Sequence, residues 1–352
     1  MTINVYTTNY SGTWWASLPE AKVSHVTDVL SDVPSASFSI PQVSPGASDI
    51  GGWDREIQIR EIIEDEGVNE IVFQGPVVSE SGDENECTFE CEGVLSHLGT
   101  RIIDRTTLLY TSIEQRAIGM ALIDYAQDPG TPAQANRDLN ISGATFTGTT
   151  RIRSRKYERE EHANILDLLK EFPTLDDGFE FDIVITPDGG RFWTPYYPKK
   201  GTTLTGIKLQ YVEGDGELSF KYRRDYKRQI TQAYVTGGSN GLIKFEQNFE
   251  DLDASGVYGL RQEVISDGSQ SDLPWLLDKG KREVSLRKKP IFVPDITLPR
   301  YPKDYRRLIQ TGDYVPLNIK RGRVNITEPR RVLQKKWNVE ADTVELTLAE
   351  VA

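Results

Sequence analysis

The chain has 352 residues, 53 acidic and 41 basic, for a net charge of −12, with three histidines and two cysteines. That length exceeds one ordinary domain and predicts two to four cores, while 38% hydrophobic and 27% charged residues exclude a disordered chain. No apolar run approaches the ~20 residues that span a bilayer, and Met1 to Trp15 lacks the basic-then-apolar pattern of a signal peptide, so neither membrane insertion nor leader-directed secretion is supported.

Charge is distributed unevenly. Residues 1–100 carry 17 acidic and 3 basic side chains, residues 101–214 carry 16 and 14, and residues 215–352 carry 20 and 24. Between Trp53 and Glu92, 13 carboxylates accompany only Arg55 and Arg60, a density that repels phosphate backbones. Such a surface is either merely solvated or suited to face DNA without holding it, or to meet a basic partner.

In chain order, short strands come first, at Ser35–Ile40, Glu56–Ile62, Glu70–Phe73, Pro76–Val78 and Cys87–Glu92, a spacing that predicts a sandwich or small barrel. Ile57, Ile59 and Glu61 alternate with Glu56, Gln58 and Arg60, which predicts one buried and one charged, solvated face. Cys87 and Cys91 lie four residues apart, roughly 13 Å on a strand, too far for a disulfide. They are expected as free thiols packed with Phe89, consistent with a reducing cytoplasm.

A helix is predicted after Ser112, with Ser112 and Gln115 as its capping box, Ile113, Ala117, Ile118, Ala121, Leu122 and Tyr125 in helical period, and Asp128, Pro129 and Gly130 as its stop. A second spans roughly Glu160 to Phe172. Phe179 to Ile185 and Arg191 to Tyr197 then read as a hairpin turning at Pro187 to Gly190, giving an α+β unit. Strand patterns resume at Leu218–Tyr222, Gln229–Thr236, Gly241–Phe245, Val315–Ile319 and Thr343–Leu348. Between them, Pro274 opens a helix from Asp272 that Gly280 weakens. Lys279 to Lys289 and Arg300 to Lys336 are strongly basic.

Chemistry finds little footing. His25, His97 and His162 lack a nucleophile motif or a second metal ligand at helical spacing, and Gly237, Gly238 and Gly241 form no phosphate-binding loop. Asp176 with Asp177 and Asp251 with Asp253 are pairs that 53 acids produce by chance. No catalytic, cofactor or metal residue is predicted, and the chain is read as a non-enzyme. Trp14, Trp15, Trp53, Trp193, Tyr196 and Tyr197 could form sugar platforms, but core packing or a protein interface is favoured.

Four local patterns together suggest a family. They are the strand pair Glu56–Arg60 and Ile71–Val77 with Phe73, Gln74 and Gly75 at its turn; Leu95 to Arg105; the helix over Ser112 to Ala126; and Thr311-Gly312-Asp313-Tyr314-Val315 followed by a closing strand pair through Arg331, Val332 and Leu348. In this order the chain resembles the baseplate hub or tail-tip minor tail proteins of tailed bacteriophages.

The resemblance implies a mainly β chain with α+β insertions: two tail-tube-like β-barrel domains plus a peripheral α+β region. The first barrel would occupy 1–100 and the peripheral unit 101–215; the second barrel would combine 216–255 with 300–352, leaving 256–299 as a peripheral segment with a helix. It also implies a homotrimer closing a pseudo-six-fold ring at the virion tail tip, assembled in the host cytoplasm. Its partners would be distal tail or tube, tape-measure, and fibre or receptor-binding proteins, with DNA passing unbound and no membrane insertion by this chain. Glu61, Glu64, Asp65, Glu66, Asp83, Glu84 and Glu86 would then form an acidic lumen or interface, and Lys320, Arg321 and Arg323 a basic interface. The alternatives are a carbohydrate-binding receptor-recognition protein and a tail-associated cell-wall hydrolase.

Overall fold

A computed structural model of the chain describes residues 2–9, 14–53, 55–128, 138–146, 148, 150–213, 218–240, 243–268, 272–289, 291–300 and 303–350. It is mainly β, with helical insertions. Its backbone is a single twelve-stranded antiparallel sheet. The strands run, edge to edge, Ser219–Asp225, Ile291–Pro299, Thr343–Ala349, Arg330–Asn338, Lys22–Val29, Ser35–Pro41, Glu86–Glu92, Val68–Gly82, Arg55–Ile63, Thr2–Asn9 and Trp14–Ser17, and Tyr314–Val315 pairs beside Arg330–Asn338.

Two apolar stripes dictate this sheet. In the N-terminal half Val5, Phe38, Ile57, Ile59, Phe89 and both cysteines point into one core; the thiols are free and buried. In the C-terminal half Val344, Leu346 and Leu348 alternate into a second core with Ile296, Val315 and Ile319. The halves fuse where Lys22–Val29 pairs with Arg330–Asn338, placing Val26 opposite Trp337. The β-rich units expected at the two ends are therefore one sheet, and no pairing among the described residues closes either half into a barrel.

Two local expectations change. Glu70–Phe73 and Pro76–Val78 are not separate strands, and Phe73 to Gly75 are not a turn. They lie inside one strand, Val68–Gly82, which pairs with Arg55–Ile63 up to Pro76 and with Glu86–Glu92 from Val77 onward. The turn of the first pair is Glu64–Glu66, closed by Gly67 in the left-handed conformation (φ 66°). A Cβ on Gly75 would stand 1.9 Å from the Glu92 carbonyl oxygen, so only glycine lets the strand switch partners there.

The α+β unit packs around Trp193, Phe172, Phe179 and Phe181. Its first helix is Gln115–Gln127, and its cap is Glu114, whose carboxylate accepts the Arg116 and Ala117 amides; Ser112 instead sits at φ 53° inside the strand Leu108–Glu114. Asp128 is the C-cap, and Pro129 and Gly130 lie outside the described residues. The second helix starts later than its periodicity suggested, at Ile165, because Asn164 takes the cap and His162 adopts a left-handed turn. The hairpin Glu180–Ile185 with Arg191–Tyr196 forms as expected.

The segment 216–255 divides between two neighbourhoods. Ser219–Asp225 pairs with Ile291–Pro299 in the large sheet. Gln232–Asn240 and Ile243–Glu250 join Gln262–Ser266 in a separate three-stranded sheet covered by the helix Leu273–Arg287, and Val235 enters the peripheral core beside Trp275 and Leu276. Gly280 does not break that helix. A Cβ there would lie 3.2 Å from Val235 Cγ2, so the missing side chain lets helix and sheet approach closely.

Candidate functional site

The face of Arg55–Ile63 expected to be solvated is buried. Glu56 and Gln58 are fully enclosed and Arg60 nearly so, because the hairpin 180–196 lies across them. Glu56 Oε2 accepts Arg191 Nη2 at 2.5 Å and Gln74 Nε2 at 2.9 Å, while His97 Nε2 lies 3.0 Å from Glu56 Oε1. Gln74 accepts from Gln58 at 3.1 Å, Gln58 accepts from Arg60 at 2.6 Å, and Arg60 Nη2 donates to the Pro187 carbonyl at 2.9 Å. A polar stripe that looked like surface is thus a hydrogen-bonded seam between sheet and hairpin.

Glu61 occupies a second seam. It is fully buried and bonded to Arg300 and Arg306, with Arg307 Nη2 at 3.4 Å. Arg300 and Arg306 also lie 5.0 and 4.9 Å from the Trp337 ring centre. Burial, with Arg307 adjoining, pushes Arg306 down to about 10, which leaves it charged at neutral pH. Glu61 therefore cannot serve as an acidic lumen or exposed interface residue in this conformation: three arginines of the basic C-terminal region enclose it within the same chain. Glu66 joins the cluster, 3.0 Å from Arg307 Nη1.

A third seam ties the hairpin to the closing strands. Arg331 makes a bidentate pair with Glu180, both contacts 2.5 Å, and its Nη2 donates to the Lys200 carbonyl. Here the Thr-Gly-Asp-Tyr-Val stretch acquires a role. Gly201 (φ 91°) and Gly312 (φ 92°) press back to back, since a Cβ on Gly201 would stand 2.2 Å from the Gly312 carbonyl carbon. Asp313 then accepts the Thr202 and Gln310 amides at 2.9 and 2.8 Å.

Where these seams converge, a cavity of about 360 Å³ opens, lined in part by Asp28, Phe73, Asp182, Ile183, Arg306 and Lys335. Burial pushes Asp182 above the usual carboxylate range against the pull of Lys200, 2.7 Å away. Burial alone would lower Lys200, but Asp182 and Asp28 hold it above the ordinary lysine value. Lys335 is half-buried along its stem, and its ammonium donates to the Arg306 and Ile309 carbonyls and to Gln310 Oε1 at 3.0, 3.0 and 2.7 Å. Desolvation, with Arg306 and Lys200 nearby, brings it down to about 8. Lys200 and Asp182 thus pair with each other, while Lys335 is held by neutral oxygens. Among the described residues no group of three or more His, Cys, Asp or Glu could hold a metal ion.

The remaining predicted surface residues fall on two hairpin tips and one turn. Glu64 is exposed in the 64–66 turn; the side chain of Asp65 lies outside the described set. Asp83, Glu84 and Glu86 cap the exposed turn between Val68–Gly82 and Glu86–Glu92, where Asp83 accepts the Asn85 and Glu86 amides at 2.8 and 3.0 Å. Lys320, Arg321 and Arg323 project from a separate hairpin, Leu317–Arg321 with Val324–Ile326, and Arg321 pairs with Glu213. Trp193 is fully buried and Trp53 is 43% exposed, which separates two of the aromatic residues considered for a sugar platform; the side chains of Trp14 and Trp15 lie outside the described residues.

Sequence reasoning missed Arg191, Arg300, Arg331 and Glu180 as joint residues. One signal was available for Arg191: it falls in strand phase with Trp193 and Pro195, the inward face of Arg191–Tyr196.

An end-to-end strand path with an α+β unit seamed across it defines a class: the chain has the fold of prophage tail proteins. The 43 kDa tail protein of prophage MuSo2 from Shewanella oneidensis matches with a TM-score of 0.63 at 13% identity, over 99% of this chain and 98% of that one. A tail protein from Neisseria meningitidis gives 0.63 at 14%, over 99% and 97%, and prophage tail protein gp18 from Listeria monocytogenes gives 0.58 at 13%, over 99% and 94%. No family model matches the sequence, and no curated protein matches it. At these identities the likeness is one of fold.

Proposed function

We propose that the chain is a structural subunit of a bacteriophage tail tip, a baseplate hub that assembles as a trimer and ends the tail tube. The observation that carries this reading is the match in fold to tail proteins along essentially the whole length of both chains. The buried seams support it physically. Arginine–carboxylate pairs cross each of the three seams described and tie sheet, hairpin and closing strands to one another, as a subunit that transmits force in a ring requires.

In this reading three copies, each contributing two tube-like β units, make a pseudo-six-fold ring that matches a six-fold tube twice per chain. Distal tail and tape-measure proteins would contact its faces, and fibres or receptor-binding subunits its periphery. Of the predicted acids, the exposed Glu64 remains available to face the bore, where repulsion lets DNA slide past. The role is structural rather than enzymatic. Electron microscopy of the purified protein and of virions should display a three-fold ring with pseudo-six-fold inner symmetry on the tail axis. A compact monomer located away from that axis would sink the proposal.

A further inference from the structure

The large sheet ends on one side at Ser219–Asp225, and among the described residues no strand and no backbone hydrogen bond covers its outer edge. An open edge is a template for another chain, and proteins usually blunt it. This one is exposed on both faces: Lys221, Tyr222, Arg223, Arg224, Tyr226, Lys227 and Arg228 all face solvent. Of these basic residues only Arg223 has an ion-pair partner among the described residues, Asp225 at 3.7 Å, and the Arg223 side chain is still 82% exposed. Edge and charge coincide.

The same chain carries a surface of opposite charge. On the hairpin of Val68–Gly82 and Glu86–Glu92, the inward phase is Cys87, Phe89 and Cys91, which leaves Glu86, Glu90 and Glu92 outward beside Glu80, Asp83 and Glu84. Unlike Glu61 and Glu66, none of these six has an ion-pair partner among the described residues. The two surfaces do not neutralise each other within one molecule. Six strand spacings separate Ser219–Asp225 from Glu86–Glu92 in the sheet order, roughly 29 Å along the sheet.

We infer that the basic edge strand Ser219–Asp225 docks on the acidic hairpin 79–92 of a second copy of this chain. This deepens the hub reading and rests on it. A contact between two different patches is heterologous, so each copy keeps one free donor and one free acceptor surface until a ring closes. The internal pairing of Glu61 with Arg300 and Arg306 is the same acid-to-base match made inside one chain, so acidic and basic β units would alternate around the ring at both kinds of contact. Complementarity of this kind also rejects like-with-like pairing.

Native mass spectrometry and sedimentation at low salt test it on the full chain. Lys221→Glu with Arg223→Glu should weaken self-association roughly 100-fold, and adding Glu80→Lys with Glu84→Lys to the same chain should restore it. Restoration also proves that the variants fold. Unchanged assembly of the first variant, no rescue in the second, or a wild type that stays monomeric at every concentration would overturn the inference. So would retardation of double-stranded DNA by the wild type that the first variant loses while its assembly is unchanged. The hub reading fails separately: a wild-type assembly with closed two-fold symmetry removes it, whereas a three-fold ring that survives the strand reversal removes only this interface.

Discussion

Glu56 is the residue on which most of the N-terminal joint depends. Its two oxygens serve Arg191, Gln74 and His97, and the side chains of both Glu56 and Arg191 are fully buried. Replacement by alanine leaves a guanidinium buried without its counter-ion, so Glu56→Ala is expected to cost about 3–5 kcal/mol, read as a lower urea midpoint with an unchanged slope. Lys335 supplies a pH signature of the opposite kind. Its folded value, about 8, lies below the ordinary 10.5, so between those limits the unfolded chain holds a proton that the folded chain has released. Stability contributed by this group therefore rises with pH across that window. Lys200, held high, works in the reverse direction. Comparing unfolding midpoints from pH 8 to 10.5 in the wild type and Lys335→Met isolates the effect, and a variant whose pH slope equals that of the wild type would contradict the assignment.

At the scale of elements, the sequence was legible wherever an apolar residue told strand from helix. Ile57, Ile59, Phe89, Val344, Leu346 and Leu348 all point where alternation placed them, and the stripe Ile165, Leu166, Leu168, Leu169 and Phe172 is buried as its period required. Polar alternation was not legible. Glu-x-Gln-x-Arg reads the same on a solvated face and on a face sealed by a hairpin, and the sealing residue Arg191 lies 135 positions away from Glu56. The cap at Glu114 was missed because Ser112 and Gln115 satisfied a local rule, while the strand Leu108–Glu114 carried the backbone past it. Glycine positions showed the same limit. Gly312→Ala meets the Lys200 carbonyl at 2.7 Å in a left-handed conformation, and a cost of roughly 2 kcal/mol or more is expected from strain and displacement together. Gly322→Ala, at φ 55° inside the left-handed well and with nothing within 4 Å, should cost about 1 kcal/mol from the backbone alone. Equal thermal shifts for the two would show that the back-to-back contact at Gly201 contributes nothing.

For the whole molecule, charge was readable as a total and misleading as a map. The acidic N-terminal and basic C-terminal thirds suggested complementarity between subunits, yet Glu61 and Glu66 spend theirs on Arg300, Arg306 and Arg307 of the same chain. The hairpin 79–92 and the strand 219–225 are among the surfaces whose charges find no such partner elsewhere in the chain among the described residues. Because Glu56, Glu61 and Glu180 stitch the pieces together, the chain should unfold in one cooperative step. Circular dichroism and tryptophan fluorescence are expected to give superimposable denaturation curves; two resolved transitions would mean that the seams do not couple the α+β unit to the sheet.

The pairing of Lys22–Val29 with Arg330–Asn338 has a consequence in time. Strands from the two ends of the sequence must meet before the sheet is whole, so a ribosome exposes Lys22–Val29 long before its partner exists. During that interval the strand is an open template, and contacts so distant in sequence form slowly. A chain interrupted before Arg330 would retain that raw edge indefinitely. A nascent chain can cover that edge only once it extends through Arg330–Asn338, so the strand depends on residues made about 300 positions later.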